Sequence, residues 1–342
     1  MNHLSKGLIL MALCLVFAFL ELALGSVTIP LNQVISILLG GDAEKQSWEL
    51  VVRSARLPRM ITAFLAGSGL AMSGLLMQTY FRNPLAGPSV LGITSGSSLA
   101  VALLVMLSGG MTVWSAAVGV SGSLAVAMAA FVGAIALLFL IMAVAKRLSD
   151  PVSLLIFGMM TGYVVSAVVS VLQFSSGKEA LRTFVLWGMG SFADLQQQEL
   201  WILTAGVGLG ILVLFPAMRH LNVLLLGDDQ ALSIGVPVKR VRMSLLLSTG
   251  LLTGTITAFC GPIAFLGLAV PHLARGWFKT SNHTTLLWSV PLLGGTLGLV
   301  CDLLSRMPWT DGGLPLNAVT CMVGAPVVMW VVLQNRRLGR YV

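Results

Sequence analysis

Few residues in this chain have the types and spacings that catalysis or metal binding requires. None of the cysteines forms a CxxC pair, and none of the histidines has an HExxH spacing or a neighbouring cysteine or carboxylate ligand. Gly177-Lys178 is followed by Glu179, so the hydroxyl residue of a phosphate-binding loop is missing and we expect no ATP hydrolysis by that chemistry. We predict no catalytic residue and no metal site. The cysteines and histidines are Cys14, Cys260, Cys301, Cys321, His3, His220, His272 and His283.

The most concentrated group of polar residues lies between two apolar segments, at residues 225–242, and reads LLGDDQALSIGVPVKRVR. Asp228 and Asp229 suit a helix N-terminus, where carboxylates accept free amide hydrogens and oppose the helix dipole. Gly235 suits the left-handed residue that ends such a helix, and Pro237 suits the first turn of the next one. We predict two short helices with a glycine break, forming a surface that docks on another protein.

The elements that position these residues are predicted to be membrane-spanning helices. Hydrophobic residues make up 57% of the 342 residues and charged residues 9%, and the mean hydropathy is +0.95. A soluble domain of this length needs a far more charged surface. The 37 glycines suit helices that pack closely in lipid. The net charge of +8 does not indicate nucleic-acid binding, because the basic residues fall in short loops between spans.

A span needs about 20 apolar residues, and the sequence offers ten candidates. The eighth is short and bracketed by glycine, which favours a partial helix. We therefore predict an all-α integral membrane protein, a single transmembrane domain over residues 1–342. The candidates are Gly7–Val27, Met60–Tyr80, Val90–Leu107, Val118–Ala145, Val152–Phe174, Glu199–Phe215, Met243–Phe259, Pro262–Ala274, Leu286–Leu304 and Leu316–Leu333.

The basic residues predict the orientation of these spans. Ten spans place both termini on one side, and that side collects thirteen basic residues while the other collects seven. The excess puts both termini and residues 225–242 in the cytoplasm. The first set is Lys6, Arg82, Lys146, Arg147, Arg219, Lys239, Arg240, Arg242, Arg275, Lys279, Arg336, Arg337 and Arg340; the second is Lys45, Arg53, Arg56, Arg59, Lys178, Arg182 and Arg306.

Charged residues near the outer ends of the spans allow two interpretations. Arg53, Arg56 and Arg59 are either snorkelling side chains at a helix end or a positive patch for an acidic partner. Glu21 and Asp302, with His272, are the main ionisable residues inside the spans, and we expect snorkelling there, since each lies towards a span end.

A series of motifs runs in order along nearly the whole chain and carries a family resemblance. It includes Arg56-Leu57-Pro58-Arg59, Arg82-Asn83-Pro84-Leu85-Ala86-Gly87-Pro88, Gly261-Pro262-Ile263-Ala264-Phe265-Leu266-Gly267, Pro271-His272-Leu273-Ala274-Arg275, Asp302-Leu303-Leu304-Ser305-Arg306 and Gly324-Ala325-Pro326. With residues 225–242, these motifs resemble the FecCD family of bacterial ABC importer permeases, which carry vitamin B12, haem or ferric siderophores.

The resemblance implies a multi-pass protein of the bacterial cytoplasmic membrane that works in an assembly. Its expected partners are a second permease subunit, most simply an identical one, two cytoplasmic ATP-binding subunits and a substrate-binding protein on the outer side. ATP and Mg²⁺ are expected on the ATPase, and no cofactor on this chain. Residues 225–242 correspond to the coupling helices that contact the ATPase, with Gly227, Asp228, Asp229, Ala231, Leu232, Gly235 and Val236 as the coupling residues.

Further roles are implied by position in the family's motifs. Arg56, Arg59 and Arg306 match residues that meet acidic side chains of the binding protein. Asn83, Leu85, Ser149 and Asp150 match an inner gate. Asp150-Pro151 departs from the small hydroxyl pair of the family's cobalamin permease, and it also suits a simple helix cap.

Two other classes of function remain as alternatives. A secondary transporter driven by an ion gradient would need mid-membrane carboxylates or histidines and an inverted repeat. An intramembrane enzyme would need a nucleophile with a base, or a ligand cluster, inside a span. Copurification with a nucleotide-binding subunit separates both from an ABC permease.

Overall fold

The structure is a computed structural model, and it describes residues 2–25, 27, 29–41, 43–107, 122–148, 150–193, 195–306 and 313–338. The regular elements of this described part are all helical, and no strand occurs among them. In chain order they are α1 His3–Ala23, α2 Leu31–Leu38, α3 Gln46–Phe81, α4 Ile93–Leu107, α5 Gly122–Ala145, α6 Pro151–Ser175, α7 Lys178–Gly188, α8 Gln197–Leu224, α9 Asp228–Ser233, α10 Val238–Cys260, α11 Leu266–Phe278, α12 His283–Ser305 and α13 Leu316–Leu338.

Seven of these helices, α1, α3, α5, α6, α8, α10 and α12, are long and apolar enough to cross a membrane. The expected third, eighth and tenth spans correspond to α4, α11 and α13. Of these, α4 is a shorter apolar helix, and α11 has only 13 residues. The short α11 agrees with the partial helix expected from its glycine-bracketed sequence. The seven long helices establish a multi-pass membrane protein, while the count of ten spans stays a prediction.

The centre of the bundle consists of α3, α10 and α12, which are mostly buried, whereas α1 and α6 are mostly exposed. Glycines allow α3 to approach its neighbours at backbone distance. A Cβ atom on Gly67 would clash with the carbonyl of Gly294 in α12, and one on Gly74 would clash with the carbonyl of Gly267 in α11. Small residues at such crossings provide packing in lipid, where the hydrophobic effect between helices is weak.

Contacts between helix ends define one end of the bundle, which we call the knob end. Lys6 Nζ, in the first turn of α1, donates to the Trp277 carbonyl near the end of α11 at 2.6 Å. Asn222 Nδ2 at the end of α8 donates to Asn282 Oδ1, which precedes α12, at 2.8 Å. Residues 225–242, which we call the knob, lie at this same end.

At the opposite end, which we call the arginine end, three further hydrogen bonds join the ends of the helices and the segments next to them. Ser123 Oγ near the start of α5 donates to Glu199 Oε1 near the start of α8 at 2.9 Å. The Ser191 amide donates to the Cys260 carbonyl at the end of α10 at 2.9 Å, and the Asn317 amide in α13 donates to the Met189 carbonyl at 3.0 Å. The helix ends joined by these contacts thus fall into two groups, while the predicted orientation of the termini stays a prediction.

The knob differs from the prediction of two short helices. It holds one short helix, α9, and the second predicted helix is the beginning of α10, which continues without a break to Cys260. Pro237 directly precedes α10 rather than lying in its first turn. The apolar residues after Arg242 keep their helical periodicity, so nothing in the sequence ends the helix after the knob.

Candidate functional site

The knob is held in a fixed shape by its glycines and by two buried side chains. Gly235 has φ +82°, so it adopts the left-handed conformation predicted for it, and Gly227 has φ +115°. The Val236 amide donates to the Ala231 carbonyl at 3.0 Å, and both side chains are buried under the knob. Because a residue with a Cβ is strained at such φ values, the glycines fix where α9 begins and ends.

The outer surface of the knob carries four exposed apolar side chains among polar ones. The side chains of Leu232 and Ile234 are 58% and 63% exposed, and Leu225 and Leu226 are also exposed. Single exposed apolar side chains are ordinary, but four of them on one rigid segment form a patch of the kind found at protein interfaces. Asp229 is exposed beside them.

Asp228, in the first turn of α9, is bound by two arginines from other helices. Its Oδ1 lies 3.1 Å from a guanidinium nitrogen of Arg82, and its Oδ2 lies 2.7 Å from one of Arg242. The Arg242 guanidinium also lies over the Tyr80 ring, 5.2 Å from the ring centroid. The sequence predicted Asp228 at a helix terminus and among the coupling residues, and it gave no sign of the pairing with these arginines.

Of the expected gate residues, Asn83 and Leu85 lie in the loop that follows α3. Asn83 Oδ1 accepts a hydrogen bond from the Leu85 amide at 2.9 Å, and the Leu85 side chain is exposed. The loop is anchored by His272, whose Nε2 lies 2.7 Å from the Pro84 carbonyl. Ser149 lies outside the described residues. The gate role of these residues stays a prediction.

Asp150 caps the N-terminus of α6, as the alternative interpretation of Asp150-Pro151 predicted. Its carboxylate accepts hydrogen bonds from the amides of Val152 at 3.2 Å and Ser153 at 2.9 Å. These backbone hydrogen bonds, the Ser153 bond first, hold the pKa of the Asp150 carboxyl below its usual range.

A second polar group near the knob end was not predicted as a unit. Both terminal nitrogens of Arg275 donate to Gln78 Oε1, at 2.7 and 2.6 Å, and Gln78 Nε2 donates to the Leu268 carbonyl at 3.2 Å. These bonds join α3 to α11. Gln78 and Arg275 both stand in or beside the quoted motifs, but a neutral amide facing an arginine gives no charge pattern from which to predict the pair.

The Arg56 side chain is buried at the arginine end, where backbone carbonyls accept its hydrogen bonds. Its guanidinium donates to the carbonyls of Leu22 at 2.7 Å, Ala23 at 2.9 Å and Val27, and the residue is only 5% exposed. The carbonyls at the end of α1 carry the negative end of the helix dipole, so they suit a cation. Neither of the two interpretations of Arg56, a snorkelling side chain or an exposed patch, anticipated this position.

Arg59 and Arg306 form ion pairs with Asp302 and Glu21. Arg59 binds Asp302 through two hydrogen bonds, Nε to Oδ2 at 2.7 Å and a terminal nitrogen to Oδ1 at 2.8 Å. Arg306 pairs with Glu21 and lies 3.3 Å from Asp302. Glu21 and Asp302 are each 1% exposed, so the expectation that they snorkel to the surface is wrong. Asp302 can be buried because Arg59 of α3 neutralises it, and Glu21 can be buried because Arg306, the residue after α12, neutralises it.

A cavity of about 1210 Å³ opens beside these charges. Arg56, Arg59 and Arg306 contribute to its wall, together with apolar side chains such as Phe17 and Leu186. Of the three arginines predicted to meet a binding protein, Arg59 and Arg306 are partly exposed and Arg56 is buried. Their docking role stays a prediction. Among the described residues, no group of three or more His, Cys, Asp or Glu side chains could hold a metal ion.

The fold and these two ends define the class of protein: an all-helical, multi-pass membrane protein with a structured knob at one end of its bundle. The model of the FecCD transport family matches residues 13–334. The chain belongs to this family.

Individual relatives match over nearly their whole length. The vitamin B12 import system permease protein BtuC of Citrobacter koseri is 31% identical over 319 residues, which cover 91% of this chain and 93% of that protein. The protein of the same name from Pectobacterium atrosepticum is 34% identical over 335 residues, with 95% and 94% covered. A solved inward-facing structure of a metal-chelate type ABC transporter matches with a TM-score of 0.81 and 29% identity, over 95% of this chain and 97% of that one.

Proposed function

We propose that this chain is the permease subunit of a binding-protein-dependent ABC importer that moves cobalamin or an iron chelate, such as a ferric siderophore or haem, across the cytoplasmic membrane of a bacterium. ATP hydrolysis takes place on separate subunits. Membership of the FecCD family and the names of the relatives support this function. They also make cobalamin the first cargo to test, with iron chelates next.

The observation that carries the proposal is the rigid apolar surface of the knob. Leu232 and Ile234 are exposed at the end of a bundle whose other helix ends are joined by hydrogen bonds. A surface of this kind suits a cleft on an ATPase, because closure of the ATPases then moves the attached helices as a rigid body. The excess of basic residues at the same end supports its placement in the cytoplasm, with both termini on that side.

A second permease subunit is proposed to cover α6. This helix is mostly exposed, and its exposed side chains are large and apolar, including Tyr163, Val164, Val171 and Phe174. A path between two such faces would have few charges along it, which suits a bulky chelate that slides through without a fixed binding site. We propose an identical partner as the simplest case.

At the arginine end we propose that the substrate-binding protein contacts the mouth of the cavity near Arg59 and Arg306. Both side chains are partly exposed there, although each also holds a carboxylate of its own chain. Acidic groups of a partner would meet the exposed parts of these two guanidinium groups, and such charge contacts speed encounter and fix register more than they add affinity. Arg56 is too deeply buried to take part directly.

The test is transport by the purified assembly. The chain is isolated with the ATP-binding subunit that copurifies with it, placed in lipid vesicles, and supplied with radiolabelled cyanocobalamin and its binding protein on the outer side. We expect accumulation that requires ATP on the knob side and persists when ion gradients are collapsed. A chain that copurifies with no ATP-binding subunit, and accumulates cargo only while an ion gradient is present, is a secondary transporter instead.

A further inference from the structure

Three separate segments of the chain meet at a single carboxylate in the knob. Asp228 begins α9, Arg82 directly follows α3, and Arg242 lies in the second turn of α10. The carboxylate binds one arginine with each oxygen, at 3.1 Å for Arg82 and 2.7 Å for Arg242. One side chain therefore links α9 to both long helices.

The arginines are themselves held in place. Arg82 ends α3 in the left-handed conformation, with φ 48°, so its backbone turns sharply towards the knob. Arg242 packs over the ring of Tyr80, the penultimate residue of α3, and its side chain is only 14% exposed. Arg242 is held by the aromatic ring, whereas the Arg82 side chain is 39% exposed and is held mainly by Asp228, so the Arg242 pair is the stronger of the two.

The α3 helix connects this contact to the arginine end of the bundle. After a π-helical segment at Val52–Arg56, its α-helical part Leu57–Phe81 has 25 residues and is roughly 38 Å long at about 1.5 Å per residue. At its knob end it meets Asp228, and towards its other end Arg59 binds Asp302 of α12. A rotation of α9 that is transmitted to α3 would thus reach the charged cluster beside the outer cavity.

We infer that Asp228, Arg82 and Arg242 form a clamp that makes α3 and α10 follow the movement of the docking helix α9. These are positioning residues: they act through α9 and do not themselves contact cargo or nucleotide. The inference rests on the proposed function, since it assigns to these three residues the step between ATPase closure and movement of the spans.

The test uses the complete assembly in vesicles and measures cargo taken up per ATP hydrolysed. Asp228→Asn removes the charge that both arginines share and keeps the size of the side chain. We expect cargo per ATP to fall about tenfold, within the range typical of coupling between sites. The ATPase rate and the yield of assembled complex should stay within about twofold, because the apolar docking surface is unchanged.

Two further variants separate positioning from folding. Asp228→Glu keeps the charge and should restore most of the coupling, whereas Arg242→Gln combined with Asp228→Asn should be no worse than Asp228→Asn alone, because both break the same contact. Arg147→Gln removes an exposed cation after α5 and serves as the control for loss of charge at this end.

The outcomes distinguish this inference from the proposed function. If the unmodified assembly accumulates neither cyanocobalamin nor a ferric siderophore nor haem with ATP, the proposed function is wrong. If the unmodified assembly transports, a wild-type ratio of cargo to ATP in Asp228→Asn overturns the clamp. The clamp is also overturned if Asp228→Asn fails to assemble and Asp228→Glu does not restore assembly. The carboxylate would then be needed for folding alone.

Discussion

The ion pair between Arg59 and Asp302 allows a quantitative prediction about stability. Two hydrogen bonds of 2.7 and 2.8 Å join the guanidinium to a carboxylate that is 1% exposed, while the arginine side chain is 24% exposed at the cavity. Arg59→Met keeps most of the side-chain volume and removes the cation. The buried carboxylate would then depend on Arg306, whose Nε lies 3.3 Å away and which also serves Glu21.

The expected cost follows from the charges that remain. Two unit charges about 4 Å apart at an effective dielectric constant of about 20 attract by about 4 kcal/mol. Removing one member of a buried pair costs about 3–5 kcal/mol, because the other charge stays buried. Since Arg306 still neutralises part of the Asp302 charge, we expect Arg59→Met to lower the free energy of unfolding by about 3 kcal/mol.

The opposite change is expected to be milder. Asp302→Asn leaves an arginine that reaches solvent through the cavity, so its cost should be about 1–2 kcal/mol. The double variant Arg59→Met with Asp302→Asn should be more stable than Arg59→Met alone, because no carboxylate remains there to bury without its partner. This non-additivity is the distinctive signature of a buried charge.

The assay is reversible unfolding of the detergent-solubilised protein by SDS, followed by circular dichroism. Arg53→Met is the matched control: Arg53 lies in the same helix and is exposed, and its guanidinium lies 3.3 Å from Glu49 and donates a long hydrogen bond of 3.4 Å to the Ile37 carbonyl. It should change the free energy of unfolding by less than about 0.5 kcal/mol. A cost for Arg59→Met as small as that of the control, or strictly additive effects in the double variant, would refute the reasoning.

Three further predictions concern the knob and the cap of α6. Gly235→Val should introduce about 1–2 kcal/mol of backbone strain, because Gly235 has φ +82°, and should lower cargo uptake per ATP in vesicles. Gly208→Val is the control and should have neither effect, because Gly208 faces open space on α8. Normal uptake by Gly235→Val would contradict this prediction. Leu232→Asn combined with Ile234→Asn should weaken binding of the ATPase by about tenfold or more in a titration. Thermal stability should stay unchanged, because both side chains are already exposed. Unaltered binding would place the interface elsewhere. The Asp150 carboxylate should stabilise the start of α6 at pH values above the usual carboxyl pKa of 3.8, and this contribution should be lost as the pH falls through the lowered pKa of Asp150. In acid, hydrogen exchange of the Val152 and Ser153 amides should therefore rise relative to exchange in Asp150→Asn. Equal protection of these amides in both proteins would contradict the cap.

Local signals in the sequence predicted local features correctly. The apolar runs predicted spanning helices, because the membrane imposes a length and a polarity that each segment must meet by itself. Gly235 was predicted to be left-handed, and Asp150-Pro151 was read as a possible helix cap; both features depend on a few neighbouring residues. The predicted second helix of the knob was wrong because its continuation into α10 is a property of the longer segment.

What the sequence determined by itself is thus the class of protein, its apolar helices and the place of the knob between two of them. The partners of its charged side chains were decided only by the packing of the helices. Arg59 and Asp302 are 243 residues apart, and Arg82 and Asp228 are 146 apart. Each was assigned a role at its own helix end, yet each is neutralised by a residue that tertiary structure brings to it. Hydropathy acts on each segment separately, whereas a buried charge is stable only if a distant part of the chain arrives to pair with it.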